Sequence, residues 1–316
     1  MARVLDSFKV RSGKRILDYR LGEDLDLKEV KLFFQNSYQV KNLWQGPRHI
    51  HGILEKKNRK YFLKLATSEG ISIVTKNEYR WNDYFNKYSF SNRYLVPKNY
   101  GSGLFKSRYF YLITDFFTGQ LLCETRSDHD KASVLIDYLP QIIELSEVIQ
   151  QLPSVNFEDN VYEKDYKMRF LDKTHDWLRD IPVNVVKRFK VKSLMAIVEK
   201  GADRLSGKPR HGDFAPWHLI KLPNKRLALI DGEHALSEGV EGYDICYFIQ
   251  RVFSVLKNPS IAKEFYHQLK EKGYQEENLK TVLAARAIGG FLDESLVEKS
   301  DFKYATSFKN WVEKLP

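Results

Sequence analysis

Apolar and polar positions alternate in short runs through the first third of the chain, then give way to long stretches with helical spacing. Gln39–Gln45, Ile50–Lys56 and Lys60–Ala66 read as strands, with Lys57-Asn58-Arg59 as the turn between the last two. Leu95–Leu104 and Tyr109–Asp115 read as two more, and Phe116-Phe117-Thr118-Gly119 breaks the pattern. Ahead of these, Asp26 followed by Glu29 resembles a capping box, and Val30, Phe33 and Phe34 give a short helix one apolar face. A longer helix after Ala66 carries Glu78. Residues 1–20 are mixed and basic, as in a strand or an ordered arm.

From Asp128 onward the period is helical. Val134, Leu135, Tyr138, Leu139, Ile142, Ile143, Leu145, Val148 and Ile149 share a face, and Pro140 must kink this element or begin a second helix. Tyr162–Leu178 and Val183–Leu205 are amphipathic; Asp165, Asp172 and Asp176 on the first face either solvent or a ligand. A short strand pair, Leu219–Leu222 and Arg226–Ile230, precedes helices over Ile245–Leu256, Pro259–Lys272, Glu276–Ser300 and Asp301–Leu315. Gly289-Gly290 permits close packing inside the third of these. The pattern predicts an α+β chain with a small antiparallel β-rich part over residues 1–117 and a larger, mainly helical part over 118–316.

Composition narrows the setting. The chain has 316 residues, 43% of them hydrophobic, enough for sizeable cores in two lobes. Two cysteines, Cys123 and Cys246, exclude a disulfide framework, and no stretch reads as a signal peptide or a membrane span, so a cytoplasmic protein is expected. The formal net charge of +10 suits a polyanionic ligand and contact with an anionic membrane face, and it disfavours a polycationic one. No basic stripe with interleaved aromatics and no nucleic-acid motif accompanies that charge, so nucleic acid is not an expected partner. Nothing in the sequence fixes an oligomeric state.

The chemistry concentrates in His211-Gly212-Asp213-Phe214-Ala215-Pro216-Trp217-His218 and Asp231-Gly232-Glu233. A carboxylate on a loop, a ligand-type side chain shortly after it and an acidic residue closing the next hairpin can meet at one point. Such a meeting suits phosphoryl transfer, in which one carboxylate takes the proton of an attacking hydroxyl and the others hold a divalent ion. Lys64 lies inside the apolar run Tyr61–Ala66; on an inner face it needs a partner, and Glu78 on the next helix competes with Glu69 for that place.

The segment is similar to the catalytic region of the aminoglycoside phosphotransferase and choline kinase-like enzymes, small-molecule kinases with a protein-kinase-like two-lobe fold. Their pattern H-G-D-x-x-x-x-N, I-D-x-E-x-A and a later Gly and Asp is matched by His211-Gly212-Asp213…His218, Ile230-Asp231-Gly232-Glu233-His234-Ala235 and Gly242-Tyr243-Asp244. The resemblance implies Asp213 as catalytic base, Asp231 as the main metal carboxylate and Glu233 as a second. It implies a Lys64–Glu78 pair reaching nucleotide phosphates, Thr114, Asp115, Phe116 and Phe117 near adenine through the backbone, and a structural Asp244 holding the catalytic loop. ATP and magnesium are the implied cofactors, with a small molecule, a sugar or a glycan-linked hydroxyl as acceptor.

Two features depart from the pattern. His218 stands where the family has Asn, as it does in the lipopolysaccharide core kinases of the same fold. Imidazole suits manganese better than magnesium, so His218 binds metal, contacts phosphate, or marks impaired metal binding. The first hairpin, Gly46-Pro47-Arg48-His49-Ile50-His51-Gly52, has only two glycines, and Pro47 removes a donor; Arg48 is its candidate for phosphate charge. These departures leave a nucleotide-binding pseudokinase as the alternative to an active kinase.

Overall fold

The computed structural model describes residues 5–124, 132–158 and 165–316. A short 3₁₀ turn (Asp6–Phe8) leads into a hairpin of β1 (Lys9–Ser12) and β2 (Arg15–Asp18). Helix α1 (Leu27–Gln35) starts at Asp26, whose side chain accepts from the Lys28 amide. Strands β3 (Gln39–Gln45), β4 (His49–Lys56) and β5 (Arg59–Ala66) follow, then the long helix α2 (Glu69–Tyr88) capped by Ser68. After β6 (Tyr94–Leu95) come β7 (Asn99–Phe105), β8 (Tyr109–Asp115) and β9 (Gln120–Leu121). The antiparallel sheet runs β3-β4-β5-β8-β7. Lys57 and Asn58 close the β4–β5 hairpin with φ of 52° and 61°, the left-handed pair a two-residue turn demands.

The remainder is mainly helical: α3 (Val134–Asp137), α4 (Leu139–Gln150), α5 (Tyr166–Asp180), α6 (Val183–Arg188) and α7 (Lys192–Gly201). Strand β10 (Gly207–Arg210), the hairpin of β11 (Leu219–Leu222) and β12 (Arg226–Leu229), and β13 (Leu236–Val240) flank the segments 211–218 and 231–233. Helices α8 (Tyr243–Gln250), α9 (Pro259–Glu271), α10 (Glu276–Ser295) and α11 (Lys303–Glu313) complete the chain, with a π-helical turn (Arg251–Val255) after α8. A second sheet, β6-β12-β11-β9, ties the exits of the first sheet to the β11–β12 hairpin.

Two cores result. The smaller, beneath the five-stranded sheet, holds Val30, Phe34, Ile50, Leu54, Leu63, Leu65 and Ile113. The larger surrounds α10, which is buried along most of its length and approaches α8 at Gly290, where a Cβ would stand 2.9 Å from the Gln250 amide nitrogen.

Several boundaries differ from the sequence reading, each for a local reason. The run Leu95–Leu104 is interrupted at Val96-Pro97-Lys98, since a proline cannot donate into the ladder. Val183–Leu205 is two helices, broken at Lys190, whose φ is 53°. Pro140 begins α4 rather than kinking a longer helix. Phe33 is 41% exposed and packs edge-on against Phe34 and Phe105 at the rim of the smaller core. Asp165 caps α5 through the Met168 amide, and Asp176 pairs with Arg179 at 2.7 Å, so both are engaged within the chain. Asp128 and residues 162–164 of the expected helix lie outside the described residues. Among the described residues, no helix is long and apolar enough to cross a membrane.

Candidate active site

Strands β10 and β13 pair, with Arg210 opposite Leu236, and so bring the loop after Arg210 against the loop before Leu236. The two loops touch at Gly212. Its φ is +84°, and a Cβ there would lie 2.1 Å from the His234 carbonyl oxygen, so only glycine fits. Asp244, near the start of α8, fastens this turn: its carboxylate accepts the His211 amide at 2.7 Å and the Gly212 amide at 2.9 Å. It holds the backbone and not the His211 ring, whose two nitrogens lack hydrogen-bond partners.

The second loop is fixed from α2. Asn77 donates to the carbonyls of Glu233 (3.1 Å) and Ala235 (2.9 Å). Trp81 covers Gly232 so closely that a Cβ there would meet the indole at 2.1 Å. Asp231 is held with φ of 69°, a conformation an aspartate adopts at a cost of about 1–2 kcal/mol and one that aims its carboxylate back at β5.

Lys64 is the centre of the charge arrangement. Its ammonium lies 2.6 Å from Glu78, 2.6 Å from Asp231 and 2.7 Å from Glu233. Burial alone would lower this lysine's pKa; Asp231 and Glu78 hold it above the ordinary range. Burial likewise opposes ionisation of Asp231, yet Lys64, then His218 and Arg48, hold it well below the usual carboxylate range. Glu233 is also bonded to Arg48 and lies 3.1 Å from His49. Glu69, the other candidate partner for Lys64, instead accepts from Ser12 and Arg15.

Across this cluster, His218 places Nδ1 2.9 Å from the Asp213 carbonyl oxygen. A carbonyl only accepts, so Nδ1 carries the hydrogen and Nε2 is left facing Asp231 Oδ2 at 3.2 Å. Ligand atoms of Asp213, His218 and Asp231 all lie within 4.8 Å of one another, as do those of Glu78, Asp231 and Glu233. An imidazole nitrogen beside a carboxylate is a donor set that fits a divalent ion. The Asp213 carboxylate accepts from the Tyr247 hydroxyl, which in turn accepts from Arg251 at 2.7 Å, and Arg251 pairs with Asp293 at 2.6 Å. Burial would raise Asp213, but His218 beside it keeps its carboxyl below the usual range.

The structure thus brings Lys64, Glu78, Asp213, His218, Asp231, Glu233 and Arg48 together. Thr114 and Asp115 end β8 on the strand paired with β5; Asp115 takes the Lys98 amide and the Arg59 guanidinium, and Phe116 and Phe117 lead half-buried toward β9. Sequence reasoning missed Tyr247, Arg251, Asn77 and Tyr19. Tyr247 stands three positions after Asp244 and Arg251 four further on, a helical spacing that puts them on one face and could have revealed both. Tyr19 arrives from the N-terminal hairpin, its ring 5.3 Å from His234. The N-terminal turn and hairpin together bridge the two parts: Ser7 donates to Asp180 of α5, while Ser12 donates to Glu69 of α2.

The site also holds histidines in the neutral form. Burial pushes His211 down to about 3 and His234 and His51 to about 4, and drives His49 well below its ordinary value. Their folded pKa values lie below the unfolded value near 6.5, so the unfolded chain binds more protons below that pH. Stability is therefore full above about pH 6.5 and falls with a slope of up to about 1.4 kcal/mol per pH unit for each histidine down to about pH 4. Urea titrations from pH 7 to pH 4.5 should show this loss; a flat profile would mean that these rings are not held neutral.

No protein-family model and no curated protein sequence matches the chain. Solved structures do. An aminoglycoside phosphotransferase, APH(4)-Ia, in ternary complex with AMP-PNP and hygromycin B superposes with a TM-score of 0.68 at 14% identity, over 90% of this chain and 97% of that one. Spectinomycin phosphotransferase APH(9)-Ia with ADP and spectinomycin gives 0.56 at 11% identity, over 92% and 95%. An ethanolamine kinase from Plasmodium vivax gives 0.56 at 13% identity, over 90% and 87%. The chain has the protein-kinase-like fold of the small-molecule phosphotransferases, as the motif resemblance implied.

Proposed function

We propose that this chain is an ATP-dependent kinase that transfers the γ-phosphate to a hydroxyl of a sugar or a glycan-linked acceptor. The observation that carries the reading is the convergence of Asp213, His218 and Asp231 opposite the Lys64–Glu78 pair. Solved structures of the same fold hold AMP-PNP with hygromycin B, or ADP with spectinomycin.

Each side chain has a role that follows from its surroundings. Asp213 is ionised at neutral pH and oriented by Tyr247, so it can accept the proton of an acceptor hydroxyl. Lys64, positioned by Glu78, offers an ammonium to the transferring phosphates, and Arg48 at the first hairpin adds a second cation. The backbone of Thr114, Asp115, Phe116 and Phe117 borders the adenine. Asp231 and His218, with Glu233 behind them, would hold magnesium or manganese. A divalent ion so held supplies charge neutralisation for the β- and γ-phosphates.

His218 provides a direct test. Replacing it with Asn exchanges a nitrogen ligand for the oxygen that magnesium favours. The His218→Asn variant should lower the ratio of manganese-supported to magnesium-supported phosphotransfer at least several-fold, measured as ATP consumed with a panel of sugars. An unchanged ratio removes His218 from the ligand set. Nucleotide binding without loss of γ-phosphate under any metal or acceptor would make the protein a pseudokinase.

A further inference from the structure

Behind Asp213 the site continues into a group of cations that phosphoryl transfer itself does not require. Arg286 of α10 is 3% exposed. Its guanidinium carbon lies 4.2 Å from the ring centre of Tyr247, 4.8 Å from Trp177 and 5.6 Å from Tyr243, and it donates to the Tyr243 hydroxyl at 3.0 Å. Arg210, three residues before Asp213, lies 3.8 Å over the other ring of this group, Tyr243. The Nε atoms of both arginines are buried without a hydrogen-bond partner. Lys173 of α5 completes the group: burial pushes its ammonium down to about 8, with Arg210 and Arg286 pushing the same way against Asp176 and Asp180.

Among the described residues none of the three forms an ion pair with a carboxylate. The acids nearby are engaged elsewhere. Asp176 pairs with Arg179, Asp180 accepts from the Ser7 amide through Oδ2 while its Oδ1 is buried without a partner, Asp293 pairs with Arg251, and Asp244 holds the catalytic turn; the Lys173 ammonium donates to the Ser7 carbonyl. A guanidinium cannot shed its proton, and an unpaired buried charge is costly. The aromatic faces offset part of that cost, about 0.5–2 kcal/mol per contact, but rings do not satisfy the N–H edges. Arg210 and Lys173 are half-buried, and Arg286 lies on the ring of Tyr247, whose hydroxyl meets Asp213.

We propose that the acceptor carries an anionic group, a phosphate or a carboxylate, which seats on Lys173, Arg210 and Arg286 while its hydroxyl meets Asp213. The inference rests on the kinase reading and names its substrate class. Planar guanidinium edges bind such oxyanions bidentately, and a polycationic acceptor would be repelled from the same place.

The test is binding rather than turnover. Protein saturated with AMP-PNP and manganese, so that the nucleotide site is filled, is titrated calorimetrically with glucose 6-phosphate, glucuronate and glucose. At least one anionic sugar should bind tenfold or more tightly than glucose, and that preference should disappear in Arg286→Gln and in Lys173→Gln with AMP-PNP affinity intact. Lys173 is not fully enclosed, so its variant carries the test if the buried Arg286 variant fails to fold. Asp213→Asn should keep the preference while losing phosphotransfer, which separates this inference from the kinase reading. No preference for either anionic sugar, or a preference unchanged in Lys173→Gln, overturns the seat whether or not the protein consumes ATP.

Discussion

Asp213→Asn should lower phosphotransfer by roughly 10²–10⁴-fold, the range expected when a general base is removed. The substitution keeps the shape of the side chain and an oxygen that can still accept from Tyr247, so the turn held by Asp244 need not move. What is lost is the basic lone pair. Nucleotide affinity should stay within about twofold, since the Lys64–Glu78 pair and Asp231 are untouched. Single-turnover measurements with saturating ATP separate the two quantities. A variant that transfers phosphate at the parent rate would show that Asp213 takes no proton and would move the chemistry elsewhere.

Lys64→Met should produce the largest stability change. One ammonium, 6% exposed, is shared by three carboxylates, and removing it leaves Glu78, Asp231 and Glu233 facing each other. Breaking a buried pair from one side costs about 3–5 kcal/mol. Arg48 and His49 still touch Glu233, so the loss should fall on Glu78 and Asp231. The pH dependence has a definite sign. In the parent, Asp231 is held below its unfolded pKa, so its contribution is present above about pH 4 and is lost as pH falls through the folded value. The difference between variant and parent should therefore be full at pH 7 and shrink below about pH 4. Urea unfolding at both pH values measures it, and Lys64→Arg, which keeps the charge, should recover part of the loss. A Met variant as stable as the parent at pH 7 would mean that the carboxylates do not depend on this lysine.

The sequence made the pairing of Lys64 with Glu78 readable because a lysine inside an apolar strand has few ways to be satisfied. The strand-then-helix order puts Glu78 on a helix and Glu69 in the connection before it; Glu69 is instead the first residue of α2, and it turns to the N-terminal hairpin. The meeting of Asp213, His218 and Asp231 was readable because a short hairpin separates them. For Tyr247 the spacing from Asp244 signals a shared helix face, but its contact with Asp213 spans 34 positions and depends on how α8 docks. The break at Lys190 was hidden for another reason: a lysine with positive φ carries no turn signature of the kind glycine or asparagine would. The pairing of β10 with β13 was equally silent, because strands this short bear too few alternations to register.

Helix α2 is held beside Lys64 by more than the Glu78 pair. Asn77 grips two carbonyls of the loop after Asp231, and the Trp81 indole lies sealed over Gly232 with no exposed surface. Swinging this helix outward, the motion that would part Glu78 from Lys64, must break both Asn77 hydrogen bonds and wet a whole indole. Such a ratchet has no low-energy released position. The helix is part of the frame and not a lever.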